Sequence, residues 1–337
     1  MNKGTDVTLT AGIDLGTGAV KTVLFDVAEG NTKWLARYTS RIRRRDPMLL
    51  AREGYDNMLA EVGLDPEHID YVATTGDGEN IPFRTGHFYS MTTHARGATY
   101  LQPGINAVID AGALHGRAIA TDERGKVLTY KMTSQCASGS GQFLENIARY
   151  LGVALEEVGT ISKTADNPET VSSICAVLAE TDVINMISRG ITTANILKGI
   201  HIAMASRLVK LLKSIKAREG SVLITGGLAS DEGLVEAVEE QVVEQKLKVD
   251  VLSHPDSIYA GAIGAALWGA FRHDKLLQAQ HGVPSPDLAA YDEGKPVLAV
   301  DLGQEEVTCP IANAVEPKSA DCPAGQISKS STKEKIT

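Results

Sequence analysis

The sequence predicts an α/β protein of two lobes with related topology, built around a split site. An apolar strand that ends in an Asp–Gly turn and is followed by a returning strand occurs twice, once around Asp14 and once around Asp110. A third glycine-rich turn, Thr225-Gly226-Gly227-Leu228-Ala229-Ser230, stands after a strand and before a helix. The first two observations point to an internal duplication, and the third adds a backbone surface against which a flat ligand can lie.

In chain order, the first pair of strands covers Thr8–Asp14 and Val20–Val27, joined through Leu15-Gly16-Thr17-Gly18. Glycines there let the backbone approach a ligand closely. Pro47–Val62 reads as a helix and Ile69–Thr74 as a strand leading into Thr75-Gly76-Asp77-Gly78. The second copy runs from Ala107–Asp110 through Ala111-Gly112-Ala113-Leu114-His115-Gly116 to strands Arg117–Thr121 and Lys126–Met132.

Three helical patterns follow, with Phe143, Leu144, Ile147, Ala148 and Leu151 on one face, then Val177, Leu178, Ile184 and Ile187, then Leu197, Ile200, Met204, Leu208, Leu211 and Ile215. Gly220 is the expected C-cap of the third. Strand Ser221–Thr225 enters the glycine turn, and Ser230 is the expected cap of the next helix. The domain boundaries expected are 8–104 plus 256–275 for the first lobe, with a closing helix near Ile258–Phe271, and 105–255 for the second. Residues 276–337, rich in Pro, Ser, Lys and Asp, read as an appended tail that is partly disordered.

Composition narrows the function classes. The 337 residues suffice for two packed lobes, and 43% hydrophobic content is ordinary for a globular protein. A formal net charge of −9 without a Lys/Arg-rich run argues against a duplex-DNA binder, so no nucleic-acid partner is expected. Met1–Thr10 lacks an apolar signal core, and Ile258–Phe271 is too short to span a bilayer, so a cytoplasmic, membrane-free protein is expected. Cys136, Cys175, Cys309 and Cys322 are too scattered for a disulfide framework, which leaves free thiols or metal ligands.

Two facing Asp–Gly hairpins meet the needs of a nucleotide site: backbone N–H groups for the phosphates and carboxylates for Mg²⁺. The candidate catalytic residues are Asp14 and Asp110. Gly16, Thr17, Gly18, Lys21, Gly112, Arg117, Gly139, Gly141, Gly226 and Gly227 are the candidates for binding ATP or ADP. Each has a bland alternative, an Asp capping a turn or a cation solvated at the surface. With all three elements in this order, the chain resembles the acetate kinase, sugar kinase, Hsp70 and actin superfamily, the resemblance resting on Asp14–Lys21, Asp110–Arg117 and Thr225–Ser230.

The cysteines single out a branch. Cys136, in Ser134-Gln135-Cys136-Ala137-Ser138-Gly139-Ser140-Gly141-Gln142-Phe143, and Cys175, in Ser172-Ser173-Ile174-Cys175, each stand at a helix entry, where the dipole favours thiolate. Two thiolates fill half of a four-cysteine shell, so another copy or a related chain would supply the other pair. These motifs, with Gly12-Ile13-Asp14-Leu15-Gly16, Thr75-Gly76-Asp77-Gly78, Ala179-Glu180, Gly199-Ile200-His201 and Thr225-Gly226-Gly227, resemble the BadF/BadG/BcrA/BcrD ATPase family. That family holds the activators of 2-hydroxyacyl-CoA dehydratases and the ATP-binding subunits of benzoyl-CoA reductases. The resemblance covers roughly 12–271, and the wording around Ala113–Arg117 and Gln135–Phe143 is most like the shorter of the two benzoyl-CoA reductase ATPase subunits. Leu114 and His115 stand where the activators carry a Gln and an acid.

The resemblance implies ATP, Mg²⁺ and a 4Fe–4S cluster shared through Cys136 and Cys175 with a related ATPase subunit, as a heterodimer or homodimer. It also implies CoA-ester-binding reductase subunits as partners and a ferredoxin-like electron donor. Glu145 and Glu180 are weaker candidates for ribose or metal, with solvated or capping roles at least as well supported, and His115 and His201 read as structural or as supports behind the site. Two other readings stand beside this one. A small-molecule kinase of the same fold would need a carboxylate beside a sugar pocket, and an actin-like filament protein would polymerise on ATP.

Overall fold

The computed structural model describes residues 7–28, 31–133, 140–171 and 176–280. Cys136, Gly139, Cys175, Cys309, Cys322 and all of 281–337 lie outside them. Two five-stranded mixed sheets organise the chain. The first is built from β1 (Thr8–Leu15), β2 (Ala19–Ala28), β3 (Asn31–Arg41), β4 (Tyr71–Gly76) and β5 (Gly86–His87) in the order β3-β2-β1-β4-β5. The second contains β6 (Ala107–Ala111), β7 (Gly116–Thr121), β8 (Val127–Met132), β9 (Glu219–Thr225) and β10 (Lys248–Leu252) in the order β10-β9-β6-β7-β8.

The sheets repeat one plan. In the first, β1 runs antiparallel to β2 and parallel to β4. In the second, β6 runs antiparallel to β7 and parallel to β9. The two-lobed actin-like α/β architecture expected from the duplicated turn is therefore present.

Helix α1 (Pro47–Val62) starts at Asp46, whose carboxylate accepts from the Met48 and Leu49 N–H groups, and stops at Gly63 with φ 69°. Its Leu50, Tyr55, Met58 and Leu59 cover one face of the first sheet beside Ile13, Leu15 and Leu24. Helix α2 (Ser90–Leu101) follows β5, and α3 (Gly141–Tyr150), α4 (Val158–Ser162), α5 (Ala176–Ser188), α6 (Thr193–Ser214) and α7 (Glu232–Glu244) follow β8. Residues of α3, α6 and α7 share the largest apolar core with Ile109, Ala118 and Ile224 of the second sheet.

Helix α8 (Ala260–Gln280) covers the other face of the first sheet through Ala262, Ile263 and Ala266, packed on Val23 and Phe25. Ala95 and Ala98 of α2 cover the other face of the second sheet against Val108, Ile119 and Leu223. Helices α2 and α8 meet in the middle, where a Cβ on Gly97 would strike the Ala260 carbonyl and one on Gly264 the Thr93 carbonyl. Backbones in contact leave no room for sliding. No helix among the described residues is long and apolar enough to cross a membrane.

Several local expectations shift. The third predicted helix stops at Ser214 rather than at Gly220, which lies inside β9. Lys216, with φ 63°, makes the turn instead. The cap of α7 is Asp231, one residue after Ser230, accepting from Gly233 and Leu234 N–H at 3.0 and 3.1 Å. The closing helix continues past Phe271 as far as Gln280.

Candidate functional site

The two Asp–Gly turns face one another across a cleft of about 300 Å³. Asp14, Gly16, Thr17, Gly18 and Lys21 line it from the first sheet, and Asp110, Gly112, Arg117, Gly141, Gly226 and Gly227 from the second sheet and the helix entry beside it. These are all the predicted nucleotide-site residues that fall within the described part of the chain. Glu145 also lines the cleft, whereas Glu180 and His201 do not.

Register explains the convergence. Asp14 pairs with Lys21 across β1–β2 and with Thr75 across β1–β4. Asp110 pairs with Arg117 across β6–β7 and with Thr225 across β6–β9. Both hairpins close with the same turn bond, Gly16 N–H to Ala19 C=O at 3.0 Å and Gly112 N–H to His115 C=O at 2.9 Å. Both are followed on the neighbouring parallel strand by a glycine in the left-handed region, Gly76 at φ 68° and Gly226 at φ 89°.

These two glycines are required by sterics as well as by φ. A Cβ on Gly226 would lie 2.5 Å from both the Ala111 carbonyl oxygen and Asp110 Oδ1. One on Gly76 would overlap the Leu15 carbonyl oxygen and lie 3.1 Å from Asp14 Oδ1. In each half the glycine leaves room for the carboxylate of the adjacent strand.

The carboxylates themselves are buried, Asp14 at 5% exposure and Asp110 at 3%. Lys21 Nζ stands 3.6 Å from Asp14 Oδ2, and Arg117 Nε 3.5 Å from Asp110 Oδ2. Those separations give charge compensation without a close hydrogen bond, so the carboxylate lone pairs stay available on the cleft side. At the mouth, Arg41 of β3 meets Glu156 at 2.8 Å, an ion pair that spans from the first sheet to the turn before α4. Leu114 is 40% exposed on the lining, and His115 Nδ1 is buried with no hydrogen-bond partner among the described residues.

Other residues that the sequence did not single out also line the cleft. Ser90 and His94 of α2 reach it, and Arg117 Nη1 donates to Ser90 Oγ. His94 Nδ1 is 3.0 Å from Thr225 Oγ1 and 3.6 Å from Asp110 Oδ1. His201, read from the sequence as structural, is fully buried between Ser162 (Nδ1, 2.8 Å) and Asp231 (Nε2, 3.2 Å), joining α4, α6 and the cap of α7.

The sequence pattern described as the BadF/BadG/BcrA/BcrD ATPase family matches residues 11–269. The chain is 70% identical over 270 residues to a benzoyl-CoA reductase subunit of Thauera aromatica, covering 80% of this chain and 96% of that one. It is 33% identical to the activator of lactoyl-CoA dehydratase of Anaerotignum propionicum, covering 77% and 96% of the two chains. Among solved structures it resembles the activator of the 2-hydroxyisocaproyl-CoA dehydratase from Clostridium difficile with bound ADPNP. That likeness has a TM-score of 0.71 and 29% identity, over 82% of this chain and 99% of that one.

Proposed function

This chain belongs to the BadF/BadG/BcrA/BcrD ATPase family, and from that premise we propose that it is the ATP-hydrolysing, electron-activating subunit of an acyl-CoA reductase, in the first place a benzoyl-CoA reductase. The observation that carries the reading is the 70% identity to the Thauera aromatica benzoyl-CoA reductase subunit over nearly all of that protein, more than twice the 33% shared with the lactoyl-CoA dehydratase activator.

In this reading the cleft takes Mg-ATP. The N–H groups of Thr17–Gly18 and Ala113–Leu114, which the turn bonds of Gly16 and Gly112 leave outside the hairpin ladder, face the phosphates, and Gly226-Gly227 gives the adenosine a backbone surface. Asp14 and Asp110 hold Mg²⁺ directly or through water. Buried carboxylates whose neighbouring cations stand 3.6 and 3.5 Å away suit an ion that takes one or two carboxylates and fills its remaining positions with phosphate oxygens and water. Lys21 and Arg117 offset phosphate charge.

Cys136 and Cys175 would provide half the ligands of a 4Fe–4S cluster, the other half coming from a second ATPase chain. When bound, that cluster supplies low-potential one-electron transfer. Phosphate contacts on both hairpins set the closure of the cleft, and helices α3 and α5, which follow the two cysteines, carry that closure to the boundary with the second chain. A ferredoxin-like protein is the proposed donor, and CoA-ester-binding subunits are the acceptor.

The test is anaerobic purification with the candidate partner subunits, followed by iron and acid-labile sulfide analysis. Cys136→Ser or Cys175→Ser should abolish an oxygen-sensitive chromophore, whereas Cys309→Ser and Cys322→Ser should leave it. A monomer that retains a full four-iron cluster, or a cluster lost with the last two cysteines instead, would overturn the shared-cluster reading.

A further inference from the structure

Helix α2 touches both halves of the cleft with one face. Ser90, Thr93 and His94 are spaced i, i+3 and i+4, so they project from the same side of the helix. Thr93 shares a 3.0 Å hydrogen bond with Thr75, the residue in register with Asp14. His94, the next residue, bonds Thr225, the residue in register with Asp110. Ser90 accepts from Arg117, which faces Asp110 across β6–β7. Thr75, Thr93 and Thr225 are fully buried and His94 is 5% exposed.

We propose that the Ser90–Thr93–His94 face of α2 couples the two hairpins, with His94 as the positioning residue that sets the Asp110 carboxylate for hydrolysis. The proposal rests on the ATP-site reading above and extends it to residues outside the glycine turns. Three observations support it.

The first concerns the hydrogen bonds of the imidazole. The Thr225 hydroxyl points at the Ile109 carbonyl, 3.5 Å away, so its lone pair is open to a donor. With the proton on Nδ1, His94 donates to Thr225 and turns a positive edge toward Asp110 Oδ1 at 3.6 Å. The opposite tautomer would set a nitrogen lone pair against a carboxylate. The Nδ1–H form therefore fixes Thr225 and orients Asp110 with a single group.

The second concerns where the ring sits. A Cβ on Gly261, at the start of α8, would lie 2.7 Å from Asp14 Oδ2 and 2.9 Å from His94 Nε2. Only a glycine hydrogen fits there, so the first turn of α8 holds the Nε2 edge of the imidazole in place.

The third concerns stiffness. Gly97 and Gly264 bring α2 and α8 into backbone contact, and α8 lies directly on the first sheet while α2 lies on the second. A displacement of one hairpin therefore reaches the other through two consecutive residues, Thr93 and His94, without passing through a soft layer.

The experiment compares wild type with His94→Ala and His94→Asn in the anaerobic complex with its partner subunits. Binding of a non-hydrolysable ATP analogue is followed by calorimetry, kcat and KM by phosphate release, and folding by thermal melting. We expect His94→Ala to lower kcat about 10–100-fold, the usual cost of losing a group that orients a ligand-holding side chain, with analogue affinity within about threefold of wild type. His94→Asn keeps an N–H donor near the Nδ1 position and should recover most of that loss. If His94→Ala does not fold, Thr225→Val, which removes the partner at constant volume, carries the same expectation.

Turnover of His94→Ala or Thr225→Val within about twofold of wild type overturns the coupling role. So does a parallel fall of affinity and kcat that Asn does not rescue, which would mark His94 as packing alone. A wild-type complex that binds no analogue would instead remove the ATP-site reading, and this inference with it.

Discussion

The two halves of the cleft share a backbone and differ in their side chains. Each offers a strand ending in a buried Asp, a glycine-bearing turn, a basic residue in register with that Asp, and a Thr–Gly step on the parallel neighbour. The turn around Asp14 is small and polar, Gly16-Thr17-Gly18, whereas the turn around Asp110 carries Leu114 and His115. Asp14 faces the Lys21 ammonium, while Asp110 lies between Arg117 and His94. The repeated backbone gives each half the same shape, and the side chains differ. On the ATP-site reading proposed above, the second half, with its additional positioning contacts, is the one that governs hydrolysis.

Substituting the carboxylates tests that division with the largest expected effect. Asp110→Asn should lower phosphate release roughly 10²–10³-fold, the scale of removing one preorganised electrostatic group from a reaction centre. Asp14→Asn should act chiefly on Mg-ATP affinity, raising Kd more than about tenfold. Calorimetry and single-turnover hydrolysis separate the two. Equal losses of affinity and rate in both variants would show that the halves are not divided in this way.

The glycines that make room for those carboxylates should behave alike, because their sterics are alike. Gly76→Ala and Gly226→Ala each force a Cβ onto a neighbouring carbonyl at positive φ. Each should destabilise the fold by about 1–3 kcal/mol, read from denaturant midpoints. A neutral Gly226→Ala would mean that the turn relaxes more easily than this packing allows.

Legibility in the sequence follows how each element is stabilised. Strands β1, β2, β6 and β7 are apolar runs broken by Asp–Gly, and the duplicated plan makes the cleft, and the described candidate residues that line it, readable in advance. Helix α2 is invisible to periodicity because Ser90-Met91-Thr92-Thr93-His94-Ala95-Arg96-Gly97-Ala98 has no apolar stripe. It packs through glycine and alanine against backbone and through hydroxyls against buried threonines, which leaves no hydrophobic signature. His94 escapes for the same reason.

Strand β3 escapes because only Ala36 along its length is buried, so alternation is faint at that sheet edge. Gly220 looks like a helix cap because glycine after an apolar helix usually is one. Here it makes room for the Asn106 side chain, which accepts from the Ser221 N–H at 3.0 Å. Cys136 and Cys175 lie outside the described residues, and a cluster of the kind proposed above, completed by another chain, would leave no trace in the spacing of a single sequence.

The mouth of the cleft sharpens the comparison with the smallest expected effect. Arg41 and Glu156 form the ion pair that joins the first sheet to the turn before α4, at 2.8 Å, and Arg41 lines the cleft. Their side chains are 43% and 65% exposed, so solvent and salt screen the pair, and it is worth about 0–1 kcal/mol. A contact that weak can slow opening but cannot hold the halves together against the forces inside the cleft. Arg41→Ala should therefore raise the dissociation rate of a fluorescent nucleotide by no more than about fivefold, the factor that about 1 kcal/mol allows. The difference from wild type should fade in molar salt, and kcat should stay unchanged. Stopped-flow dissociation at low and high ionic strength, with phosphate release beside it, measures all three. A salt-independent change, or a loss of hydrolysis in Arg41→Ala, would place Arg41 on the nucleotide itself and move part of the phosphate chemistry from the buried hairpins to the rim.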